Sequence, residues 1–207
     1  MHSITCIWSL ENKMKLIGVT GGVGAGKSEI LSFLEKNYQA ETVGLDDVAR
    51  TLQEKGGACY EGMIALCGKD IVKEDGSLDR PAIAAKMYTD KELIKKINAL
   101  VHPAVRLELK KIIEEKRKMG CPLLVVEAAL LIEEGYDEIC DELWYIYADE
   151  NVRRSRLKVA RHYSDEKITS ILKSQLSDKE FRAHATVVID NSGSFEETAG
   201  QIKKIMK

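Results

Sequence analysis

The sequence predicts an α/β fold in which helices cover a parallel β-sheet. Apolar runs of four to six residues recur along the chain and alternate with stretches of helical periodicity, the pattern of strands joined by crossover helices. Two of these runs, LLVVE and TVVID, are almost continuously apolar and end in an acid, as in strands that are buried on both faces. The predicted strands are Lys15–Thr20, Thr42–Leu45, Leu123–Glu127, Leu143–Tyr147 and Thr186–Ile189.

The composition is that of a globular protein. The chain has 207 residues, of which 44% are hydrophobic and 31% charged, so we expect one domain with room for a small insertion. A net charge of −2 argues against nucleic-acid binding, and no apolar run approaches the roughly 20 residues of a membrane span. Five cysteines without C-x-x-C spacing are typical of reduced thiols. We therefore expect a cytoplasmic protein with neither a membrane nor a nucleic acid as partner.

Two segments depart from the alternation of strand and helix. Residues 1–13 lack the features of a signal peptide, and we expect Met14 to be the natural start and the preceding residues an extension. The second and third predicted strands are separated by about 75 mostly helical residues, which is too long for a simple crossover. We interpret residues 48–120, approximately, as a helical insertion. Within it, Pro81 is predicted in the first turn of a helix, and His102–Pro103 is predicted to end one helix, with a new helix at Pro103–Lys118.

A glycine-rich segment, GGVGAGKS, directly follows the first predicted strand. It fits the pattern G-x-x-x-x-G-K-[ST], in which glycines let the backbone close around phosphate oxygens and the next helix presents its positive N-terminus. Lys27 adds a charge at the β- and γ-phosphates, and Ser28 offers a hydroxyl to Mg²⁺. The residues expected to hold the nucleotide are Gly22, Val23, Gly24, Ala25, Gly26, Lys27, Ser28 and Glu29.

Acidic residues end two predicted strands at the sheet edge where α/β proteins bind ligands. Asp46 and Asp47 follow the second strand, and a carboxylate there is suited to accept the proton of an attacking hydroxyl. We expect this role for Asp46, and a helix cap or a solvated side chain for Asp47. Glu127, which ends the third strand, is either an acid near the water shell of Mg²⁺ or a strand-end cap. The sequence leaves both alternatives open.

A basic segment lies between the fourth and fifth predicted strands. Arg153, Arg154, Arg156, Lys158 and Arg161 fall within nine residues. Guanidinium groups suit the spread charge of a phosphoryl group, although charge runs are commonly solvated helices. Because a phosphate-binding motif is present, we expect a lid over the nucleotide at about residues 150–183.

A phosphate-binding loop alone does not define a function. The chain has neither a suitably placed N-K-x-D motif of a GTPase nor the L-S-G-G-Q signature of a transport ATPase. The helical insertion and the arginines favour a small-molecule kinase. A kinase of another acceptor, such as a nucleoside monophosphate, and an NTP-binding regulator remain alternatives, although a regulator has no need of a hydroxyl-activating acid.

Seven segments in order resemble the dephospho-coenzyme A kinase family, from about Met14 to the C-terminus. They are IGVTGGVGAGKS, LDDVAR, INALVHP, EAALLIEEGYD, RLKVARHYS, ILKSQ and VIDNSGS. The resemblance implies a P-loop kinase core with a five-stranded parallel sheet, a helical coenzyme-A-side insertion and a lid. It also implies transfer of the γ-phosphate of ATP, with Mg²⁺, to the ribose 3′-hydroxyl of dephospho-coenzyme A, the last step of coenzyme A biosynthesis.

The resemblance also implies roles for single residues. Asp46 matches the acid that orients or deprotonates the hydroxyl, and Asn191 matches a position beside the ATP base. The other matches on the acceptor side are Arg50, His102, Leu130, Leu131 and Glu133, and the catalytic matches on the donor side are Lys27, Arg156 and Arg161. We expect a monomer or a weak homo-oligomer that acts on ATP and dephospho-coenzyme A.

The chain departs from the family pattern at several positions. Gly44 stands where an acid is common, Ala129 where a proline is common, and Glu127 where an aspartate is common. Arg156 and Arg161 are one residue further apart than the usual lid pair. This wider spacing leaves Arg153 and Arg154 as alternatives for a lid role.

Overall fold

The structure, a computed structural model, describes residues 14–207. The predicted extension at residues 1–13 lies outside the described residues. Five strands form one sheet: β1 (Lys15–Thr20), β2 (Ala40–Gly44), β3 (Leu123–Glu127), β4 (Glu142–Tyr147) and β5 (Val187–Asp190). All neighbours are parallel, in the order β2-β3-β1-β4-β5. The predicted α/β fold with a five-stranded parallel sheet is therefore confirmed.

Helices connect every pair of consecutive strands except β3 and β4. They are α1 (Lys27–Tyr38), α2 (Leu45–Leu52), α3 (Tyr60–Cys67), α4 (Arg80–Thr89), α5 (Lys91–Lys118), α6 (Glu150–Arg161), α7 (Asp165–Lys173), α8 (Asp178–His184) and α9 (Phe195–Ile205), with 3₁₀ turns at Lys69–Ile71 and Asp137–Ile139. The predicted insertion holds most of α2 and all of α3 to α5, and the predicted lid holds α6 to α8. Throughout residues 14–207, each helix is too short or too polar to cross a lipid bilayer.

Successive side chains of the inner strands point into two different cores. On β3, Leu124 and Val126 pack into the core shared with α2 to α5, whereas Leu123 and Val125 pack into the core shared with α1 and α9. All four are at most 4% exposed. Burying a side chain of this size contributes roughly 1.5–3 kcal/mol. The continuous apolar run therefore corresponds to a strand that is covered on both faces.

The long helix α5 passes through Pro103 without ending, so the predicted break at His102–Pro103 is wrong. Proline in a helix interior removes one backbone hydrogen bond and costs about 3 kcal/mol. Apolar side chains nevertheless recur every four residues along α5 and are all buried: Leu93, Ile97, Val101, Val105, Leu109 and Ile113. Because one core receives this whole stripe, tertiary packing outweighs the local preference for a break.

The signals at helix starts agree better with the structure. Pro81 lies in the first turn of α4, behind an Asp79 side chain that accepts a hydrogen bond from the Ala82 N–H. Ser194 caps α9 and forms a capping box with Glu197, which satisfies backbone donors that have no partner within the helix. The predicted start at Pro81 is confirmed, because a cap depends on residues close in sequence.

Candidate active site

The glycine-rich segment Gly21–Ser28, called the phosphate loop below, connects the central strand β1 to α1. Gly26 is the N-cap residue of α1 and has a φ of 89°, a left-handed conformation that favours glycine. A Cβ atom at Gly26 would also collide with the side-chain amide of Asn191. The loop thus leads directly into the N-terminus of α1, and the free backbone N–H groups at a helix N-terminus suit an anion.

Lys27 lies across the loop. Its Nζ donates to the carbonyl oxygen of Gly21 at 2.9 Å and lies 3.3 Å from Oε1 of Glu127. Glu127 ends β3 and pairs in register with Val19 of β1 and Gly44 of β2, so the sheet itself fixes its position. The two side chains are only 14% and 22% exposed. A charged pair thus lies at the carboxyl edge of the sheet, directly beside the phosphate loop.

A cavity of about 490 Å³ opens over the loop. Gly22–Glu29, Asp46, Glu127, Arg156 and Arg161 all line it. The structure thereby brings together, in one cavity, the loop and four side chains predicted from distant parts of the sequence. Within residues 14–207, no cluster of three or more His, Cys, Asp or Glu side chains has metal-binding geometry.

Asp46 lies at the junction of two cavities. Besides the cavity over the loop, it lines a mostly apolar cavity of about 110 Å³ between α2, α5 and the segment after β3. His102 of α5 also lines the smaller cavity, and its Nδ1 lies 2.7 Å from Oε2 of Glu134. Leu130, 49% exposed, contributes an apolar wall. A carboxylate at this junction can reach a hydroxyl held in one cavity and a phosphate held in the other.

Asp47 does not cap α2, because Gly44 occupies the N-cap position and no side chain bonds there. The Asp47 side chain is solvent-exposed and lies 3.4 Å from Nη1 of Arg50. The alternative of a solvated side chain therefore holds for Asp47. Arg50 is itself 58% exposed and lines neither cavity.

Two further residues predicted on the acceptor side lie apart from both cavities. Leu131 is fully buried in the core, and Glu133 is exposed. Neither lines the cavities described above, whereas the neighbouring Glu134 does. The substrate roles expected for Arg50, Leu131 and Glu133 remain predictions.

The predicted lid arginines differ in their contacts. Arg156 donates to the carbonyl oxygens of Ala25 at 3.3 Å and Asn191 at 2.9 Å. Arg154 instead contacts Glu150 and Thr169 within the lid. Within the part of the chain that the structure describes, no hydrogen bond or ion pair involves the exposed side chain of Arg161. Arg161 is thus available to a ligand in the cavity, whereas Arg156 also supports the loop.

Asn191 lies beneath the phosphate loop. It is 1% exposed, its Nδ2 donates to the Ala25 carbonyl at 2.7 Å, and its Oδ1 accepts from Thr198 at 2.8 Å. Both ends of the amide are therefore occupied by protein atoms. The contact with ATP expected for Asn191 remains a prediction, and the observed contact is a support of the loop.

A family model described as dephospho-CoA kinase matches residues 15–197. The chain belongs to the dephospho-CoA kinase family. A dephospho-CoA kinase of Oceanobacillus iheyensis is 33% identical over 193 residues, covering 93% of this chain and 96% of that protein. One of Aquifex aeolicus is 34% identical over 192 residues, covering 93% and 96%. The protein is therefore a phosphotransferase, as the sequence predicted.

Solved structures show that the fold is shared with other proteins. A crystal structure from Thermus thermophilus has a TM-score of 0.78 and 29% identity, covering 93% of this chain and 96% of that one. A dephospho-CoA kinase from Campylobacter jejuni has a TM-score of 0.70 at 20% identity, covering 92% and 94%. A shikimate kinase from Acinetobacter baumannii, with a TM-score of 0.52 at 14% identity and coverage of 94% and 92%, shares the fold alone. The P-loop kinase fold is confirmed.

Near the site, the structure shows contacts of three residues to which the sequence analysis assigned none. Arg153 donates through Nε to the Val23 carbonyl at 2.9 Å, and burial lowers the pKa of its guanidinium below the ordinary value. Gln175, in the motif ILKSQ, also contacts the loop. Arg106 lies one turn after His102 and donates to the Glu134 carbonyl. Gln175 lies within a family motif and Arg153 was an alternative lid arginine, but the sequence indicated no contact of either residue with the loop.

Proposed function

We propose that this kinase transfers the γ-phosphate of ATP to the ribose 3′-hydroxyl of dephospho-coenzyme A and so produces coenzyme A. The observation that carries the proposal is the position of Asp46, which lines both the cavity over the phosphate loop and the apolar cavity beside His102. Two neighbouring cavities that share one carboxylate suit a reaction between two bound molecules. A nucleotide switch needs only the first cavity.

On the donor side, the phosphate loop holds ATP through backbone N–H groups at the start of α1. Lys27 places its ammonium group at the β- and γ-phosphates, and Arg161 reaches the same cavity from the end of α6. Charges that are already in place stabilise the charge of the transferring phosphoryl group without reorganising in the transition state. Arg156 contributes charge and also holds the loop, through Ala25.

Mg²⁺ fits the oxygen donors of this cavity. The Ser28 hydroxyl and the Glu127 carboxylate both line it, and hard oxygen donors are what Mg²⁺ prefers, with several waters retained. When bound, Mg²⁺ would neutralise part of the phosphate charge. We propose Ser28 as a direct ligand and Glu127 as an acid that acts through water.

On the acceptor side, Asp46 accepts the proton of the ribose hydroxyl and aligns the hydroxyl oxygen with the γ-phosphate. Leu130 and the turn of α5 at His102 supply a wall for the acceptor. The His102–Glu134 contact of 2.7 Å fixes the ring of His102. We further propose that the enzyme works in the cytoplasm on small molecules alone, as a monomer or a weak homo-oligomer.

A coupled assay with ATP, Mg²⁺ and a panel of acceptors tests the proposal. We expect ADP formation to depend on dephospho-coenzyme A and to exceed the rates with nucleoside monophosphates and shikimate. Mass spectrometry and nuclease digestion should locate the new phosphate on the 3′-oxygen. Preference for another acceptor would contradict the assigned substrate, and ATP turnover independent of every acceptor would contradict kinase activity.

A further inference from the structure

Gln175 lies in the short linker between α7 and α8, on the lid side of the phosphate loop. Its Oε1 accepts hydrogen bonds from Nη2 of Arg153 at 2.7 Å and from the backbone N–H of Val23 at 3.2 Å. Both partners can only donate, so the amide oxygen, not the nitrogen, must face them. The linker therefore contacts the phosphate loop through one acceptor atom.

Arg153 completes the contact from the other side. Its Nε donates to the Val23 carbonyl at 2.9 Å, so the N–H and the C=O of Val23 are both bound by the lid. The guanidinium group packs directly over Gly22, where a Cβ atom would collide with it. Arg153 and Gln175 do not line the cavity over the loop. They support the tip of the loop from outside the cavity.

The charge of Arg153 is not neutralised by this arrangement. Among residues 14–207, no carboxylate forms an ion pair with Arg153, and the nearby Glu150 pairs with Arg154 at 2.8 Å. The half-buried guanidinium donates instead to neutral groups, the amide of Gln175 and the carbonyl of Val23. An amide satisfies the donors and leaves a full positive charge beside a loop that binds phosphates, in surroundings where water screens it weakly.

The linker that carries Gln175 is fixed at both ends. Toward α8, Ser177 and Glu180 form a capping box, and Phe181, 3% exposed, stacks on Tyr145 of β4 at a ring distance of 4.7 Å. Toward α7, Ile168 is fully buried. The contacts of α7 and α8 place the Gln175 amide at the phosphate loop. A movement of the lid away from the loop must therefore break the hydrogen bonds of Gln175 to Arg153 and Val23.

We propose that Gln175 is a positioning residue that couples the lid to the phosphate loop, holding the Val23 peptide and the unneutralised charge of Arg153 in place for the phosphates of ATP. This inference rests on the proposed function only in requiring ATP at the loop. Gln175 itself touches no reacting atom.

The test is the affinity for a non-hydrolysable ATP analogue with Mg²⁺, measured by calorimetry. Gln175→Leu removes the acceptor, and we expect the affinity to fall at least about tenfold, the value of a hydrogen bond to a charged group. Gln175→Glu keeps an acceptor but neutralises Arg153. We expect it to keep the melting temperature of the wild type and still to weaken binding at least about fivefold. Ser174→Ala removes a neighbouring hydroxyl that donates to the Ile171 carbonyl. This variant is the matched control and should bind normally.

A structural role without this coupling predicts a different outcome, namely wild-type affinity for Gln175→Glu, and that result would overturn the inference. In an Arg153→Met background, Gln175→Leu should weaken binding no further, because the two residues act as one unit. Losses of affinity that multiply when these two substitutions are combined would also overturn the inference. If Gln175→Leu fails to fold, Gln175→Glu still decides. If the wild-type protein binds the ATP analogue but does not phosphorylate dephospho-coenzyme A, only the proposed function is contradicted. If the wild-type protein does not bind the analogue, the proposed function and the inference about Gln175 are both contradicted.

Discussion

The ammonium group of Lys27 lies 3.3 Å from the carboxylate of Glu127, at the edge of the sheet where β1 and β3 end side by side. The pairing holds the Lys27 side chain over the loop. Glu127 belongs to β3, so its position is fixed by the pairing of that strand with its neighbours and not by a flexible turn. The arrangement orients the positive charge in advance of the phosphates. Preorganised charge of this kind is the main means by which a phosphoryl-transfer enzyme lowers its barrier.

Lys27→Ala should lower kcat by about 10²–10³-fold, because a charge that stabilises the transition state is lost. The free energy of unfolding should also fall by about 1–3 kcal/mol, because Lys27 donates to the Gly21 carbonyl and pairs with Glu127. Lys36→Ala, an exposed position in the last turn of α1, is the matched control and should turn over normally. Steady-state kinetics with near-normal turnover for Lys27→Ala would contradict the assignment.

Asp46→Asn should separate phosphate transfer from phosphate binding, because it keeps the shape of the side chain and removes the base. Help from a general base is typically worth about 10²–10⁴-fold, and we expect transfer to dephospho-coenzyme A to fall by that order. ATP affinity should barely change, since the loop holds the phosphates. Initial rates and a separate ATP-binding measurement give the two quantities.

Asp47→Asn is the neighbouring control. Its side chain is solvent-exposed and pairs with the exposed Arg50, so its effect should be small. A severe defect in Asp47→Asn with a healthy Asp46→Asn would exchange their assigned roles. Normal transfer by both variants would mean that no acid here activates the hydroxyl and that positioning supplies the rate.

Arg161→Ala and Arg156→Ala should differ in stability. Arg161 is exposed, so its loss should lower kcat by about 10²-fold and leave the melting temperature unchanged. Arg156 donates to two backbone carbonyls, so its loss should also cost about 1–3 kcal/mol of unfolding free energy. Kinetics and urea denaturation measure both effects. An equal loss of stability in Arg161→Ala would show that Arg161 is structural.

Alkaline pH should destabilise the protein through cysteine thiols whose pKa is raised by burial. Cys59, Cys67, Cys121 and Cys140 are free, and burial raises the pKa of Cys140 from 9.0 to about 12. Between those values the unfolded chain loses the proton and the folded chain keeps it, so stability falls as the pH rises, by up to about 1.4 kcal/mol per pH unit. Urea denaturation in reducing buffer from about pH 8 to about pH 11 should show a shallower decline for Cys140→Ala. An equal decline of the unfolding free energy with pH in the wild type and in Cys140→Ala would contradict this role of Cys140.

The elements of the fold were predictable where the sequence pattern that defines an element lies within one short segment. The apolar runs predicted all five strands, although β2 begins at Ala40 and stops at Gly44 because Leu45 already starts α2. The rule that proline ends a helix failed at Pro103, because the stripe of α5 is buried as a unit. The strand order was not predictable from periodicity, which carries no information on which runs become neighbours.

In the candidate site, too, the features that depend on one short segment were predictable and those that depend on distant segments were not. A local motif predicted the loop and Lys27, and the position after a strand predicted that Asp46 would line the cavity. Asn191 and Gln175 reach the loop from 166 and 152 residues away in sequence, and nothing near either residue indicates that contact. Such contacts depend on packing that no single segment contains.

The register of the sheet has a consequence for biosynthesis. β1 pairs with β3 and β4, so Lys15 has no partner until Leu123 is made, and Ile17 none until Glu142 is made. By contrast, α2, α3 and α4 each contact α5, which follows them more closely in the chain. On the ribosome, the helices should therefore assemble while β1 still has no neighbour. The phosphate loop is encoded early but should become ordered late, after Asn191 has left the exit tunnel and reached Ala25. A nascent chain that stops short of β5 should thus be compact in its helical segment and still unable to retain ATP.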